Sequence, residues 1–252
     1  MKMLEINDLY KSYDGSENYV LKNINLTIEK NEFVVIVGKS GGGKSTLLNL
    51  LAGFIKPDRG EILVNGQSSI GPSANKGVVF QEHGLFPWCT VLENVAMGPK
   101  LHKDKNKNQI AQELIELVGL KGYENLYPAS LSGGMAQRVG IARALATNPD
   151  LLLMDEPLGA LDPLTRTKMR EEILKIWKET KKTVVFITHS VSEAVYLADR
   201  VIVLKKGEIV KDEKITLPKP RDTRATEFAA KVEELEDTLL ETNDPYEKEE
   251  IA

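Results

Sequence analysis

Eight residues, Gly38-Lys39-Ser40-Gly41-Gly42-Gly43-Lys44-Ser45, constrain this chain more than any other stretch. They fit the pattern of a glycine, four free positions, then Gly-Lys-Ser/Thr. Phe33-Val34-Val35-Ile36-Val37 precedes them and is short, bulky and apolar, the mark of a buried strand. Thr46-Leu47-Leu48-Asn49-Leu50-Leu51 follows and predicts a helix. Strand, glycine-rich loop and helix in that order can fold into a phosphate cradle. The glycines let the backbone bend tightly and aim several N–H groups into one concavity. The helix N-terminus adds partial positive charge there. Lys44 supplies a full charge to the β- and γ-phosphates of a nucleotide, and the Ser45 hydroxyl suits Mg2+. Lys39, Ser40, Gly41, Gly42, Gly43 and Thr46 are expected to line the same cradle.

Three further stretches supply groups that such a cradle needs. Leu151-Leu152-Leu153-Met154-Asp155-Glu156 places four apolar residues before two carboxylates, a buried strand that ends in acid. Asp155 at the strand end is expected to hold Mg2+ opposite Ser45. Side chains alternate along a strand, so Glu156 is expected to point elsewhere and to polarise a water for attack on the γ-phosphate. Thr183 to Thr188 is another strand, with His189 at its C-terminal end. It is expected to run beside the acid-ended strand, so that His189 faces the phosphates. Leu131-Ser132-Gly133-Gly134-Met135 opens a helix, with Ser132 as N-cap and two glycines leaving first-turn N–H groups open. This is either a plain turn before a core helix or a second phosphate-suited helix start. One nucleotide does not need two such starts from one chain, which points to a second subunit completing the site. Tyr13 stands before the Asp14-Gly15 turn, either as an ordinary sheet tyrosine or as a platform for a base.

The rest of the chain fits an α/β architecture. Leu4 to Ile28 predicts antiparallel strands, and Glu61–Val64 and Gly77–Phe80 are shorter ones. From about residue 90 to 148 strand patterns give way to helical spacing at Ile110, Ala111, Leu114, Ile115, Leu117 and Val118. That segment is expected to be an inserted helical subdomain, with Lys100 to Asn108 as a solvated loop. Met169, Ile173, Ile176 and Trp177 fall on one helical face, and Val201 to Val210 predicts a hairpin. Residues 1–220 are expected to form one domain and 221–252 a helical, acidic tail. Phe228, Val232, Leu235 and Leu239 lie on one face of that tail, for docking on its own domain or on a second subunit. Glu241 to Ala252 is expected to fray.

Charge and composition exclude some classes. Ten acidic residues face two basic ones from Glu227 to the end, so a net −4 over 252 residues leaves only +4 for the rest. No strongly basic surface for nucleic acid is indicated. One cysteine, Cys89, excludes an intrachain disulfide. No run of 18 apolar residues exists, so any work at a membrane requires a separate anchor.

The set of motifs, in this order over roughly Met3 to Val210, resembles the ATP-binding cassette (ABC) ATPases. Such a resemblance implies a P-loop NTPase with a mixed, mostly parallel core sheet, an N-terminal antiparallel β subdomain and an inserted α-helical subdomain. It implies that Tyr13 stacks on adenine, that Gly38 to Ser45 is the Walker A loop and that Leu151 to Asp155 is Walker B. Glu156 would be the catalytic glutamate and His189 the switch histidine. Gln81 would reach Mg2+ and sense the γ-phosphate. Leu131 to Met135 would be the signature motif and Ala160-Leu161-Asp162 the D-loop. The implied activity is ATP hydrolysis, with ATP and Mg2+, coupled to transmembrane transport. It would take place in a head-to-tail dimer in which Ser132, Gly133 and Gly134 of one copy close on the ATP of the other. The implied partners are integral membrane permease subunits, an extracytoplasmic solute-binding protein acting indirectly, and no nucleic acid. The implied location is the cytoplasmic face of the cell membrane, as a peripheral subunit. Phe86 to Val95, Met135 and Leu217 to Asp222 are similar to the nitrate/sulfonate/taurine importer group, whereas Cys89 and Ala136 depart from its usual residues. Phe86-Pro87-Trp88 would receive the permease, with core burial the alternative for Trp88. A soluble ABC ATPase acting on nucleic acid or ribosomes is the runner-up. Its chromosome-maintenance forms carry long coiled coils between Walker A and the signature, and no sustained heptads stand there here.

Overall fold

The structure, a computed structural model, describes residues 1–15, 18–82 and 84–240. The acidic segment Glu241 to Ala252, expected to fray, lies outside the described residues. Two strands open the chain, β1 (Lys2–Lys11) and β2 (Leu21–Glu29), and pair antiparallel. Along β2, Ile24, Leu26 and Ile28 are buried while Asn23, Asn25 and Glu29 are exposed, the period-two pattern of a half-buried strand. Next come β3 (Phe33–Val37), the helix α1 (Lys44–Ala52), β4 (Arg59–Val64), β5 (Gln67–Ser68) and β6 (Lys76–Val79). β6 is one residue displaced from the expected strand. Phe80 falls outside it and stacks on Phe54, ring centroids 6.0 Å apart.

Three helices follow before the next strand: α2 (Val91–Leu101), α3 (Lys107–Leu117) and α4 (Gly133–Leu145). A capping box starts α2: the Thr90 hydroxyl accepts the Glu93 N–H and the Glu93 carboxylate accepts the Thr90 N–H. The loop expected over Lys100 to Asn108 is shorter in the structure, because α2 runs through Pro99 to Leu101 and α3 starts at Lys107. A proline near a helix C-terminus removes one intrahelical bond without breaking the turns before it. The chain then continues through β7 (Leu151–Asp155), α5 (Pro163–Thr180), β8 (Thr183–Thr188), α6 (Val191–Leu197), β9 (Arg200–Lys205), β10 (Glu208–Lys214) and α7 (Thr226–Leu240).

These elements make two sheets. The first has the order β2-β1-β4-β5 and is antiparallel, while the second has the order β10-β9-β3-β8-β7-β6. In the second, β9, β3, β8, β7 and β6 run parallel and β10 pairs antiparallel at the edge. All five residues of β3 and all six of β8 are buried, because helices or the other sheet cover both faces. On one face α1 lies between the sheets, packing Leu47, Leu48, Leu50 and Leu51 against Ile6, Ile24, Ile36 and Ile187. On the other face Val139, Ile141, Met169, Ile173 and Val195 cover Phe33, Val35, Met154 and Phe186. Trp177 belongs to this core as expected, edge-on to Phe33 at 5.5 Å. Trp88 does not: it is 73% exposed beside Phe86, so burial is not what keeps it.

The tail helix packs on its own domain. Phe228, Leu235 and Leu239 are buried against the main core and Val232 is half-buried. Arg221, in the segment leading to it, is buried, and its guanidinium donates to the carbonyls of Val195, Tyr196, Ala198, Ile215 and Leu217 at 2.7–3.2 Å. Five carbonyls on one side chain tie the C-terminal segment to the end of α6. Arg221→Ala strands several of them, so a loss of about 2–4 kcal/mol in urea-unfolding stability is expected, with proteolysis of α7 accelerated. A charge cluster adds to the docking: Lys211 of β10 and Lys231 of α7 both bond Glu234 and hold its carboxyl down at about 2. A lowered carboxyl stabilises the fold above its ordinary value of 4.5 and loses that contribution as pH falls toward 2. The stability gap between the wild type and Glu234→Gln should therefore be constant above pH 4.5 and close below it, as read by acid titration of the melting temperature.

Candidate functional site

The C-terminal ends of four parallel strands meet at one edge of the second sheet. β3 leads into the glycine loop, β7 into Asp155 and Glu156, β8 into His189 and β6 into Gln81. Open parallel sheets bind ligands at this edge. The loop wraps the Lys44 side chain, which is 5% exposed and donates to the carbonyls of Gly38 and Lys39 at 2.9 and 3.0 Å. Glycine is required at 38, because a Cβ there would stand 2.3 Å from the Leu204 carbonyl oxygen. It is required again at Gly43, which precedes α1 with φ +94° and would press a Cβ to 2.8 Å from Leu21. No side chain caps α1. Its first-turn N–H groups are thus left for an anion, as a phosphate site needs.

An open pocket of about 170 Å³ lies here, lined by Val20, Ser40, Gly41, Gly43, Lys44, Ser45, Thr46 and Glu156. Lys39 is exposed on the loop beside it, and Gly42 closes the loop with its N–H on the Lys39 carbonyl at 3.1 Å. Tyr13 is exposed and its hydroxyl lies 3.2 Å from Thr46 Oγ1, which puts the ring at the same rim. That position favours the base platform over an ordinary sheet tyrosine. A larger cleft, about 680 Å³, lies between α3 and the ends of α2, α4 and α5. It contains no glycine-loop or strand-end group, so size does not locate the site.

The two carboxylates sit differently from the expectation. Asp155 Oδ1 is 3.5 Å from Ser45 Oγ, opposite it as predicted. Glu156, however, does not turn to the other face. Its φ is +40°, outside strand geometry, and its N–H bonds to the Ile187 carbonyl of β8. The strand has already ended, so alternation no longer governs its side chain. Both carboxylates therefore face the loop. Glu156 Oε1 lies 3.9 Å from Lys44 Nζ, and its other oxygen is 2.9 Å from His189 Nδ1. A left-handed backbone at a non-glycine residue costs of order 1–3 kcal/mol. Burial lowers the Lys44 ammonium from its ordinary value, against the pull of Glu156 and Asp155. Burial raises the Asp155 carboxyl, Glu156 adding to it, with the Ser45 hydroxyl and Lys44 opposing. Both charged forms are thus held against desolvation, and a phosphate or cation arriving between them would relieve it.

Other expected residues lie further off. Gln81 is exposed after β6, and its amide nitrogen sits beside Gly159, in the loop that follows Glu156. Ser132 is the N-cap of α4, its hydroxyl accepting the Met135 N–H at 3.3 Å. Neither it nor Gly133 or Gly134 lines the glycine-loop pocket. Gly133 instead faces the loop before α5, and Gly134 the first turn of α5. A Cβ on Gly133 would stand 3.5 Å from Leu161, and one on Gly134 2.8 Å from Thr165. Three residues near the site are absent from the sequence-based expectation: Thr188, Glu193 and Arg166. The Ser190-x-x-Glu193 spacing was the available signal, since Ser followed three residues later by Glu marks a helix start.

Fold and site together define a P-loop ATPase cassette. A family model described as "ABC transporter" matches residues 21–159. A taurine import ATP-binding protein of Escherichia coli is 50% identical over 207 residues, covering 81% of this chain and 80% of that one. An aliphatic sulfonates import ATP-binding protein of Bacillus cereus is 45% identical over 226 residues, 89% of each. Among solved structures, a dimeric ATP-binding cassette in a post-hydrolysis state, bound to ADP and Pi, superposes with a TM-score of 0.74. It is 37% identical, covering 84% of this chain and 99% of that one. The chain belongs to the ABC transporter family, as an ATP-binding subunit that hydrolyses ATP. Loss of the Lys44 ammonium removes the charged donor at the centre of the cradle. Lys44→Ala is expected to weaken ATP binding by about 10- to 150-fold, measured by titration with a fluorescent nucleotide, and unchanged binding would remove the phosphate-cradle reading.

Proposed function

We propose that this chain powers uptake of a small solute, of the nitrate, sulfonate or taurine kind, by hydrolysing ATP between two copies of itself. One observation carries the hydrolytic part: Glu156 stands at the mouth of the cradle with one oxygen on His189 and the other toward Lys44. In that place Glu156 accepts the proton of the attacking water and His189 holds the carboxylate in position. Lys44 and the open N–H groups of α1 take the developing phosphate charge. Tyr13 lies against the base.

Ser45 and Asp155 are hard oxygen donors facing each other, the type of set Mg2+ accepts alongside phosphate oxygens. When bound, the ion would neutralise phosphate charge, with Gln81 in reach of the same edge through its place after β6. The half-site on α4 supports a dimer. Ser132, Gly133 and Gly134 form a phosphate-suited helix start that does not line its own chain's cradle, so a second copy in head-to-tail arrangement uses it. Closing and opening of that dimer would move the membrane subunits. No helix among the described residues is long and apolar enough to cross a membrane. The chain would therefore work as a peripheral subunit at the cytoplasmic face, on permease subunits that receive solute from an extracytoplasmic binding protein. The division into a cassette over 1–220 with its helical part at about 90–148, and a tail over 221–252, belongs to the same reading. Sulfonate and taurine rest on the two import relatives, and nitrate on the resemblance of Phe86 to Val95, Met135 and Leu217 to Asp222 to the importer group.

Two measurements test this. Glu156→Gln should lower ATP turnover about 10²–10⁴-fold while ATP still drives a stable dimer, seen by size-exclusion chromatography; normal turnover would sink the base assignment. Trp88, exposed beside Phe86, is the anchor expected to meet the permease. Trp88→Ala should leave turnover of the isolated subunit intact and weaken permease capture by about 30-fold or more, while undiminished capture would move the contact elsewhere.

A further inference from the structure

The residues flanking His189 are held by a buried polar group that the hydrolytic reading does not use. Glu193 is 5% exposed and Thr188 2% exposed. Thr188 Oγ1 donates to Glu193 Oε2 at 2.6 Å and accepts the Ser190 N–H at 3.0 Å. Ser190 Oγ in turn accepts the Glu193 N–H at 3.3 Å. A capping box would send the Glu193 carboxylate back to the Ser190 N–H. Here it goes to Thr188 instead, and the three bonds close a ring around His189.

The second carboxylate oxygen leaves this ring. Glu193 Oε1 faces Arg166 Nε at 3.7 Å, an ion pair longer than a hydrogen bond. Arg166 Nε is buried and has no hydrogen-bond partner among the described residues. The other end of the guanidinium does bond: Arg166 Nη2 donates to the carbonyls of Gly159 and Leu161 at 3.3 and 3.2 Å. Gly159 belongs to the loop that starts at Glu156, and its N–H bonds to the Glu156 carbonyl at 3.0 Å. Arg166 therefore holds the loop behind Glu156, and Glu193 holds the loop that carries His189. The two side chains face each other across the gap between those loops.

We propose that Arg166 and Glu193 form a positioning clamp that sets the Glu156–His189 pair in register for hydrolysis. The inference rests on the reading of Glu156 and His189 as the hydrolytic pair. Neither residue lines the glycine-loop pocket. The buried Arg166 Nε–H is within about 1 Å of hydrogen-bond distance to Glu193, so a small shift of the Gly159–Leu161 loop completes the bond. That loop also packs on Gly133 through Leu161, so a change at the start of α4 reaches the clamp through direct contact.

The test measures steady-state ATP turnover, nucleotide affinity and melting temperature on the full chain. The variants are Arg166→Ala, Arg166→Lys, Glu193→Gln, His189→Ala, and Arg166→Ala combined with His189→Ala. Glu193→Gln is close in shape and keeps an acceptor for Thr188, while the charge and the acceptor that faces Arg166 are lost, so it is the variant expected to fold. A misplaced reacting group costs up to about a hundredfold, so Arg166→Ala and Glu193→Gln should lower kcat by about 10- to 100-fold with nucleotide affinity within about twofold of wild type. Arg166→Lys keeps the charge and loses the fork to two carbonyls, and should recover part of kcat. In the His189→Ala background Arg166→Ala should add no further loss, because the pair it positions is already broken. Unchanged kcat in Glu193→Gln and Arg166→Ala, beside a clear loss in His189→Ala, would overturn the clamp alone. A parallel fall of kcat, affinity and melting temperature would also overturn it, as a merely structural role. Full turnover in His189→Ala would overturn the hydrolytic pair itself.

Discussion

The buried ammonium of Lys44 is the interaction on which the rest of the site depends. A cation almost wholly removed from water is costly unless it is paired and bonded. Here two loop carbonyls take its protons, and Glu156 and Asp155 supply charge nearby. The loop can present those carbonyls only because glycine stands at 38, where the backbone presses on Leu204 of the neighbouring strand. The positive end of α1, with no side-chain cap, adds to the same region. A cradle built in this way is stabilised by an arriving phosphate. Nucleotide binding is therefore coupled to the charge balance of the core edge.

The sheet makes this possible by burying whole strands. β3 and β8 are buried along their whole length, and β7 becomes polar only at Asp155. Rigid, fully covered strands bring the glycine loop, the carboxylates and His189 to one edge within hydrogen-bond range. The first sheet and α1 close one side, and the helices α4, α5 and α6 close the other. The start of α4 does not line this cradle, and in the proposed dimer a second copy brings its own α4 start to it.

Much of this was legible in the order of residues. The loop from Gly38 to Ser45 has a fixed spacing, and Leu151 to Asp155 ends an apolar run in acid; both patterns are local and survive reading in one dimension. The strand that ends at His189 was expected beside the acid-ended strand, and β8 does pair with β7. The α/β class, the inserted helices and the tail helix followed from the change of period. What was not legible depended on departures from regular geometry or on contacts across the chain. Alternation along a strand was expected to separate Glu156 from Asp155, but β7 ends at Asp155 and the left-handed backbone at Glu156 brings both carboxylates to the loop. The polar stretch from Lys100 to Asn108 was read as loop throughout, whereas α2 runs to Leu101 and α3 starts at Lys107. Trp88 could not be sorted between core and surface from its own neighbours. Arg166 and Glu193 are 27 residues apart, and only the packing of α5 against α6 brings them together.

In the proposed dimer one chain supplies the cradle and the other supplies Ser132 to Gly134. A mixing experiment tests this most directly. A Lys44→Ala chain has a disabled cradle and an intact helix start; a Ser132→Phe chain has the reverse. Each alone should be inactive, while a mixture should regain ATP turnover, because a mixed dimer carries one intact composite site. A mixture no more active than its components would contradict the composite site, and would mean that each chain closes its own nucleotide.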